Sequence, residues 1–138
     1  MKIIATGTRP TVRATPEYFT GTVWQDPVIS APEPARVRAL IVAFEPGART
    51  AWHTHPLGQT LLVVSGTGRV GLRGQAPQVI HTGDTIWFAP GEEHWHGASP
   101  NNAMSHLAIQ EDLDGRAADW LEKVSDVDYR QPAQGAGG

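Results

Sequence analysis

The chain has no cysteine, so disulfides, iron–sulfur clusters and thiolate zinc sites are excluded. It has no apolar run near the roughly 20 residues that a membrane helix needs. Its start, MKIIATGTRP, has one lysine and no long apolar run after it, which makes a poor signal peptide. These absences lead to the expectation of a cytoplasmic protein with no membrane partner. Positive charge is not in excess either. Eleven Lys and Arg stand against 14 Asp and Glu, giving a formal net charge of -3 and a pI of about 6.0. No basic stripe invites nucleic acid, and no block of like charge forms an interaction tail.

What is present is glycine and proline, 15 and 11 in 138 residues, falling between short apolar runs. Runs such as Ala39–Phe44, Thr60–Ser65, Thr85–Phe88 and Met104–Gln110, each bounded by turn residues, predict an all-β chain closed into a sandwich or barrel. The length suits one domain with its own core. Residues 1–35 are punctuated by proline and too apolar for a disordered arm: Tyr18, Phe19, Val23, Trp24 and Val28 are expected to pack outside the barrel or on a partner subunit. The barrel is expected over about 36–112. Leu113, Ala117, Trp120, Leu121 and Val124 repeat at helical spacing, which predicts one short C-terminal helix over about 113–125. The domain is therefore drawn as residues 1–130, and 131–138 (QPAQGAGG) as a flexible tail.

Two stretches carry the chemistry. In Gly47–Gly66, His53 and His55 stand one residue apart and Gln59 follows a Pro56-Leu57-Gly58 turn. Residues i and i+2 of a strand share a face, so the two imidazoles aim at one point, and the turn brings Gln59 back toward it. Gly83–Gly97 repeats the device with His94 and His96. Imidazole nitrogens and an amide oxygen make a ligand set for a first-row divalent metal. His53, His55, Gln59 and His94 give three nitrogens and one oxygen, none of them charged, so a bound ion keeps its positive charge and can have an open position.

The pattern Gly47-x5-His53-x-His55-x3-Gln59-x6-Gly66 resembles the first cupin motif, with Gln59 where glutamate is usual. Gly83-x6-Pro90-Gly91-x2-His94 resembles the second, with one extra residue before the proline. This implies a double-stranded β-helix, or jelly-roll, barrel with its metal inside. FEPGARTAWHTHPLGQT, PGEEHWHGA, AMSHLAIQE and LDGRAADW further resemble the small bacterial cupins that are manganese-dependent hydroxynitrile lyases, over roughly residues 17–130. That resemblance implies His53, His55, Gln59 and His94 as metal ligands and His106 as catalytic base. It also implies one divalent ion per chain, manganese first and iron, zinc, nickel or cobalt after it, and assembly as a homodimer or homotetramer. The reaction implied is cleavage of a cyanohydrin to an aldehyde or ketone plus cyanide. Two other readings fit the same ligands: an iron-dependent dioxygenase, and a non-catalytic cupin that binds a metal or small molecule.

Strand parity adds the remaining candidates. His106, Ala108 and Gln110 share one face, and so do Leu40, Val42 and Phe44. If these faces line the cavity, His106 stands over the metal as acid and base. Gln110 then orients a small-molecule substrate or merely satisfies backbone groups, while Leu40 and Val42 form pocket wall. Leu40 stands where the family can have alanine, and it fills space an aryl cyanohydrin would use. His96 is read with His106 as a catalytic-side residue, with cavity wall and alternative ligand as its other readings. His81 is read as surface, Trp52 and Trp95 as packing, and Glu92 and Glu93 as solvated.

Overall fold

A computed structural model describes residues 1–134. It holds twelve strands and one helix: β1 (Val12–Arg13), β2 (Phe19–Thr20), β3 (Val23–Ser30), β4 (Val37–Phe44), β5 (Arg49–Thr50), β6 (His53–Thr54), β7 (Gln59–Leu72), β8 (Gln78–His81), β9 (Thr85–Phe88), β10 (His94–Ala98), β11 (Met104–Glu111), β12 (Asp119–Trp120) and α1 (Asp126–Tyr129). All pairings are antiparallel. The main strand order is β1-β3-β4-β11-β7-β10-β5-β2, a sheet curled into a half-barrel. No helix among the described residues is long and apolar enough to cross a membrane.

The axis of this arrangement is β7. Gln59–Gly66 pairs with β11, and Gln59–Leu62 with β9 on its other edge. Gly68–Leu72 pairs with β10 and Thr67–Val70 with β8. The Gly66-Thr67-Gly68 triplet had the composition of a hairpin turn, but the strand runs through it and bends. Gly66 supplies the bend with φ of 77°, a left-handed value that only glycine adopts freely. A Cβ there would also strike the carbonyl oxygen of Ala103. Gly66→Ala should therefore cost about 2–4 kcal/mol, read as a lowered denaturant midpoint; an unchanged midpoint would show that the bend relaxes.

Alternation along the strands sorts side chains into core and surface. Val42, Phe44, Val63, Met104, Phe19, Val23 and Ile80 form the main cluster, all buried. Each such burial contributes about 1.5–3 kcal/mol. Two assignments need correcting. The N-terminal segment is no outer arm: β3 pairs with β4 from Val23 to Ser30, and Phe19 and Val23 lie inside this chain's own core. Only Trp24 of the five keeps much of its surface in water, at 38% exposed.

The second correction concerns 113–125, which is not helical. Asp114 and Gly115 both take left-handed φ, 53° and 79°, and close a reverse turn bridging Leu113 and Arg116. Asp-Gly is a turn pair. The apolar residues that imitated a helix face are claimed by separate neighbours. Trp120 pairs with His53 through β12 and β6, Val124 joins Trp52 and Trp95, and Leu121 is 41% exposed. The helix comes later, at Asp126–Tyr129, where Ser125 caps Asp128 N–H at 3.1 Å. Tyr129 is fully buried under the Arg49 guanidinium, 4.4 Å from its ring centre, and its hydroxyl donates to Ala98 O. Of the stretch read as a tail, Gln131 O accepts from Arg69 and Gln134 N donates to Pro77 O; residues 135–138 lie outside the described residues.

Candidate metal centre

The half-barrel brings the two histidine stretches face to face, with His53 of β6 paired directly with His94 of β10. His55 follows in the turn before β7, and Gln59 is the first residue of β7. The ring centres are 4.3 Å apart for His53–His94, 5.0 Å for His53–His55 and 5.5 Å for His55–His94. All three side chains, with Gln59, are buried.

Their tautomers follow from backbone partners. His53 Nδ1 lies 2.9 Å from Ala51 O, His55 Nδ1 2.6 Å from Ala117 O and His94 Nδ1 2.8 Å from Glu92 O. A carbonyl can only accept, so each Nδ1 carries the proton and each Nε2 is left with a lone pair. Gln59 donates through Nε2 to Gln110 Oε1 at 3.1 Å. That turns its Oε1 toward His94 Nε2, 3.3 Å away. Two acceptors then face each other without a proton between them, and His55 Nε2 is buried with no partner. This is the donor set a divalent cation satisfies. Burial, which penalises the charged imidazolium, is the leading cause that lowers all three pKa values, His94 to about 3 and His53 well below its ordinary value. The rings are therefore neutral at pH 7, with no proton to displace before ligation.

His96, two residues after His94, enters the same group. Ligand-capable atoms of His53, His94 and His96 lie within 4.8 Å of one another, so these three could hold a metal ion. His96 Nδ1 is also 2.9 Å from His106 Nε2, while His96 Nε2 and His106 Nδ1 are buried without partners. The pair is fully buried, and burial is the first cause lowering both pKa values, His106 to about 3. Aromatic rings pack around the cluster: Phe88 stacks on His94 at 3.7 Å, Trp120 lies 4.6 Å from His53, and Phe44 packs on both His96 and His106.

In front of the cluster is a cavity of about 400 Å³. Its walls include His53, His55, Gln59, His96 and His106, together with Leu40, Val42 and Gln110. Strand parity had assigned these last three to the cavity. His81 is exposed, Trp52 and Trp95 pack with Tyr129, and Glu93 is half-exposed beside Arg73. The cavity also holds residues that motif and parity arguments passed over: Gln25, Arg38, Thr50, Arg116 and Trp120. Arg38 had a usable signal, since it lies two residues before Leu40 on one strand face. Trp120 had none, because its place depends on a strand hidden under helical spacing. Among the described residues, no carboxylate lines the cavity.

A curled antiparallel barrel with a buried three-histidine group able to hold a metal ion defines a metal-binding β-barrel protein. The cupin domain family matches residues 40–109, and the chain belongs to that family. It is 56% identical over 131 residues to an (R)-mandelonitrile lyase of Granulicella tundricola, covering 95% of this chain and all of that one. A cupin-like protein from Thermotoga maritima is 33% identical with a TM-score of 0.82, covering 98% of this chain and 99% of its own. The polyketide cyclase RemF from Streptomyces resistomycificus shares the fold at 17% identity and a TM-score of 0.73, over 94% of this chain and 90% of that one.

Proposed function

We propose that the chain is a carbon–carbon lyase that cleaves cyanohydrins to an aldehyde or ketone plus cyanide, and forms them in reverse. The observation that carries this is the buried His96–His106 pair beside converging neutral ligand atoms, in a cavity that no carboxylate lines among the described residues. The relative named (R)-mandelonitrile lyase, alike over its whole length, supports it. His53, His55, Gln59 and His94 would hold the cation, which we take to be manganese. When bound, such a cation supplies Lewis acidity toward a hydroxyl oxygen, lowering its pKa.

His106 removes the hydroxyl proton. The bond between the carbinol carbon and the nitrile carbon breaks, its electron pair leaves with cyanide, and the oxygen's electrons complete the carbonyl. Protonated His106 then returns the proton to cyanide. The single proton between His96 and His106 decides two roles together. If His106 Nε2 donates, His106 Nδ1 is the free base and His96 Nε2 carries a hydrogen and cannot ligate. If His96 Nδ1 donates, His96 Nε2 is free to ligate and His106 Nδ1 is protonated. The lyase reading requires the first arrangement. Leu40 and Val42 then bound the substrate's organic part and Gln110 holds Gln59 in register.

The test is benzaldehyde release from racemic mandelonitrile at mildly acidic pH, with manganese-loaded protein beside a metal-stripped sample confirmed as folded. Metal-dependent release with one enantiomer surviving is expected. Metal-independent background, or oxygen consumption with an iron requirement, would replace the lyase with another cupin activity. Metal content separates the ligand sets: His55→Ala should lose most of its manganese, by about 10-fold or more in affinity, and His96→Ala should keep it. The reverse result would assign the ion to His53, His94 and His96.

A further inference from the structure

We propose that this cavity takes a substrate that bears a carboxylate, and that Arg38 is its anchor. The proposal rests on the lyase reading for the reacting end of the molecule and on Arg38 for the other. Arg38 shares a face of β4 with Leu40 and Val42 by strand parity, and, itself exposed, it lines the cavity. In the sheet it is paired with Gln110 of β11, which is paired in turn with Gln59 of β7. Arg38, Gln110 and Gln59 thus form one row across three neighbouring strands. Strands lie about 4.8 Å apart, so the guanidinium's strand is roughly 10 Å from the strand that carries the ligand amide.

The guanidinium is held but not used up. Its Nε lies 2.8 Å from Asp112 Oδ2 in an ion pair, and among the described residues its two terminal nitrogens make no hydrogen bond. Those nitrogens form the flat edge that matches a carboxylate with two parallel bonds. Arg116, on the rim, is fixed the same way: its Nε lies 3.4 Å from Asp119 Oδ1, and it too lines the cavity. Both arginines are positioned by aspartates that stay out of the lining, while Leu40, Val42 and Ala108 give the same lining an apolar part. The cationic rim stands out against the chain's net charge of -3. A neutral aryl cyanohydrin gives these arginines nothing to bind. A molecule with its hydroxyl carbon at the histidines and a carboxylate one ring or a short carbon chain away spans the row.

Calorimetric titration of manganese-loaded protein with para-(hydroxymethyl)benzoate and with the matching benzamide tests the assignment without turnover. The benzoate should bind about 10-fold tighter or more, and Arg38→Gln should bring the two within about twofold. Equal affinities, absent benzoate binding, or a preference that survives Arg38→Gln would overturn it. The last result is also what direct binding of the carboxylate to the ion, or anchoring by Arg116, would produce. Turnover of the benzaldehyde and para-carboxybenzaldehyde cyanohydrins runs in parallel. Binding preference with turnover of neither would remove the lyase reading and leave Arg38 standing; equal turnover of both, indifferent to Arg38→Gln, would do the opposite.

Discussion

His106→Ala should leave manganese bound at one ion per chain and reduce cyanohydrin cleavage by about 100- to 10,000-fold, the range that general acid–base groups supply. The split between metal content and rate follows from the geometry. His106 comes from β11, a different strand from those that carry His53, Gln59 and His94. Among the described residues its side chain makes one polar contact, with His96, so removing it disturbs no carbonyl that anchors a ligand. His106 is fully buried, and truncation opens a hole in the wall. His106→Gln therefore accompanies it: the glutamine fills most of the volume and can still bond His96, but has no basic ring nitrogen to accept the substrate's proton. Both variants should be slow with metal intact. A variant retaining its rate within about threefold would place the base elsewhere, and loss of manganese in His106→Gln would make His106 part of the metal site.

The metal-free protein should be acid-labile. In an unfolded chain, imidazoles take up protons below about pH 6.5. In the folded chain, burial holds His94 and His106 down to about 3 and pushes His53, His55 and His96 downward as well. Between about pH 6.5 and pH 3 the unfolded chain therefore binds more protons than the folded one. The contribution is fully present above 6.5 and is lost as pH falls, at about 1.4 kcal/mol per pH unit for each imidazole that stays neutral. His94 and His106 alone then cost about 3 kcal/mol per pH unit, which reaches the low end of a small domain's reserve of about 5–15 kcal/mol within about two pH units. Melting of chelator-treated protein should show Tm dropping steeply from neutrality toward pH 5. Manganese should raise Tm at neutral pH by binding the folded form alone. A Tm independent of pH in this window would mean that the imidazoles are reached by solvent when the ion is absent.

The parts of the fold and site that could be read in the sequence are those set by strand parity and turn residues. His53, His55, Gln59 and His94 could be brought together on paper because i and i+2 share a face and a Pro-Leu-Gly turn reverses the chain. The same rule put Leu40, Val42, His106 and Gln110 on inward faces. What escaped depends on contacts between distant segments. Ala117 O, Ala51 O and Glu92 O fix the tautomers, yet a backbone carbonyl leaves no mark in a sequence. Residues 113–125 misled because helical spacing is a statement about one continuous face, while here each apolar residue answers to a different neighbour. Asp114-Gly115 was the local sign of a turn, and it outweighs periodicity because left-handed φ at two successive residues stops a helix outright. His96 was placed near the site by its spacing, but its two competing roles become visible only when the 2.9 Å contact with His106 is known.

The grip of Ala117 O on His55, across 62 residues, has a bearing on how the protein is made. During synthesis the His-x-His stretch leaves the ribosome long before the segment that orients one of its rings. Until β12 seats against β6, His55 has no partner to fix its tautomer and His53 lacks the Trp120 ring at its side. A nascent chain would offer any passing metal loose, unselective imidazoles, and the ordered centre would arise only once residues 117–120 have been made. Metal loading of the ordered centre would then follow the synthesis of that segment, and the metal supply in the cell at that moment would govern which ion the purified protein carries.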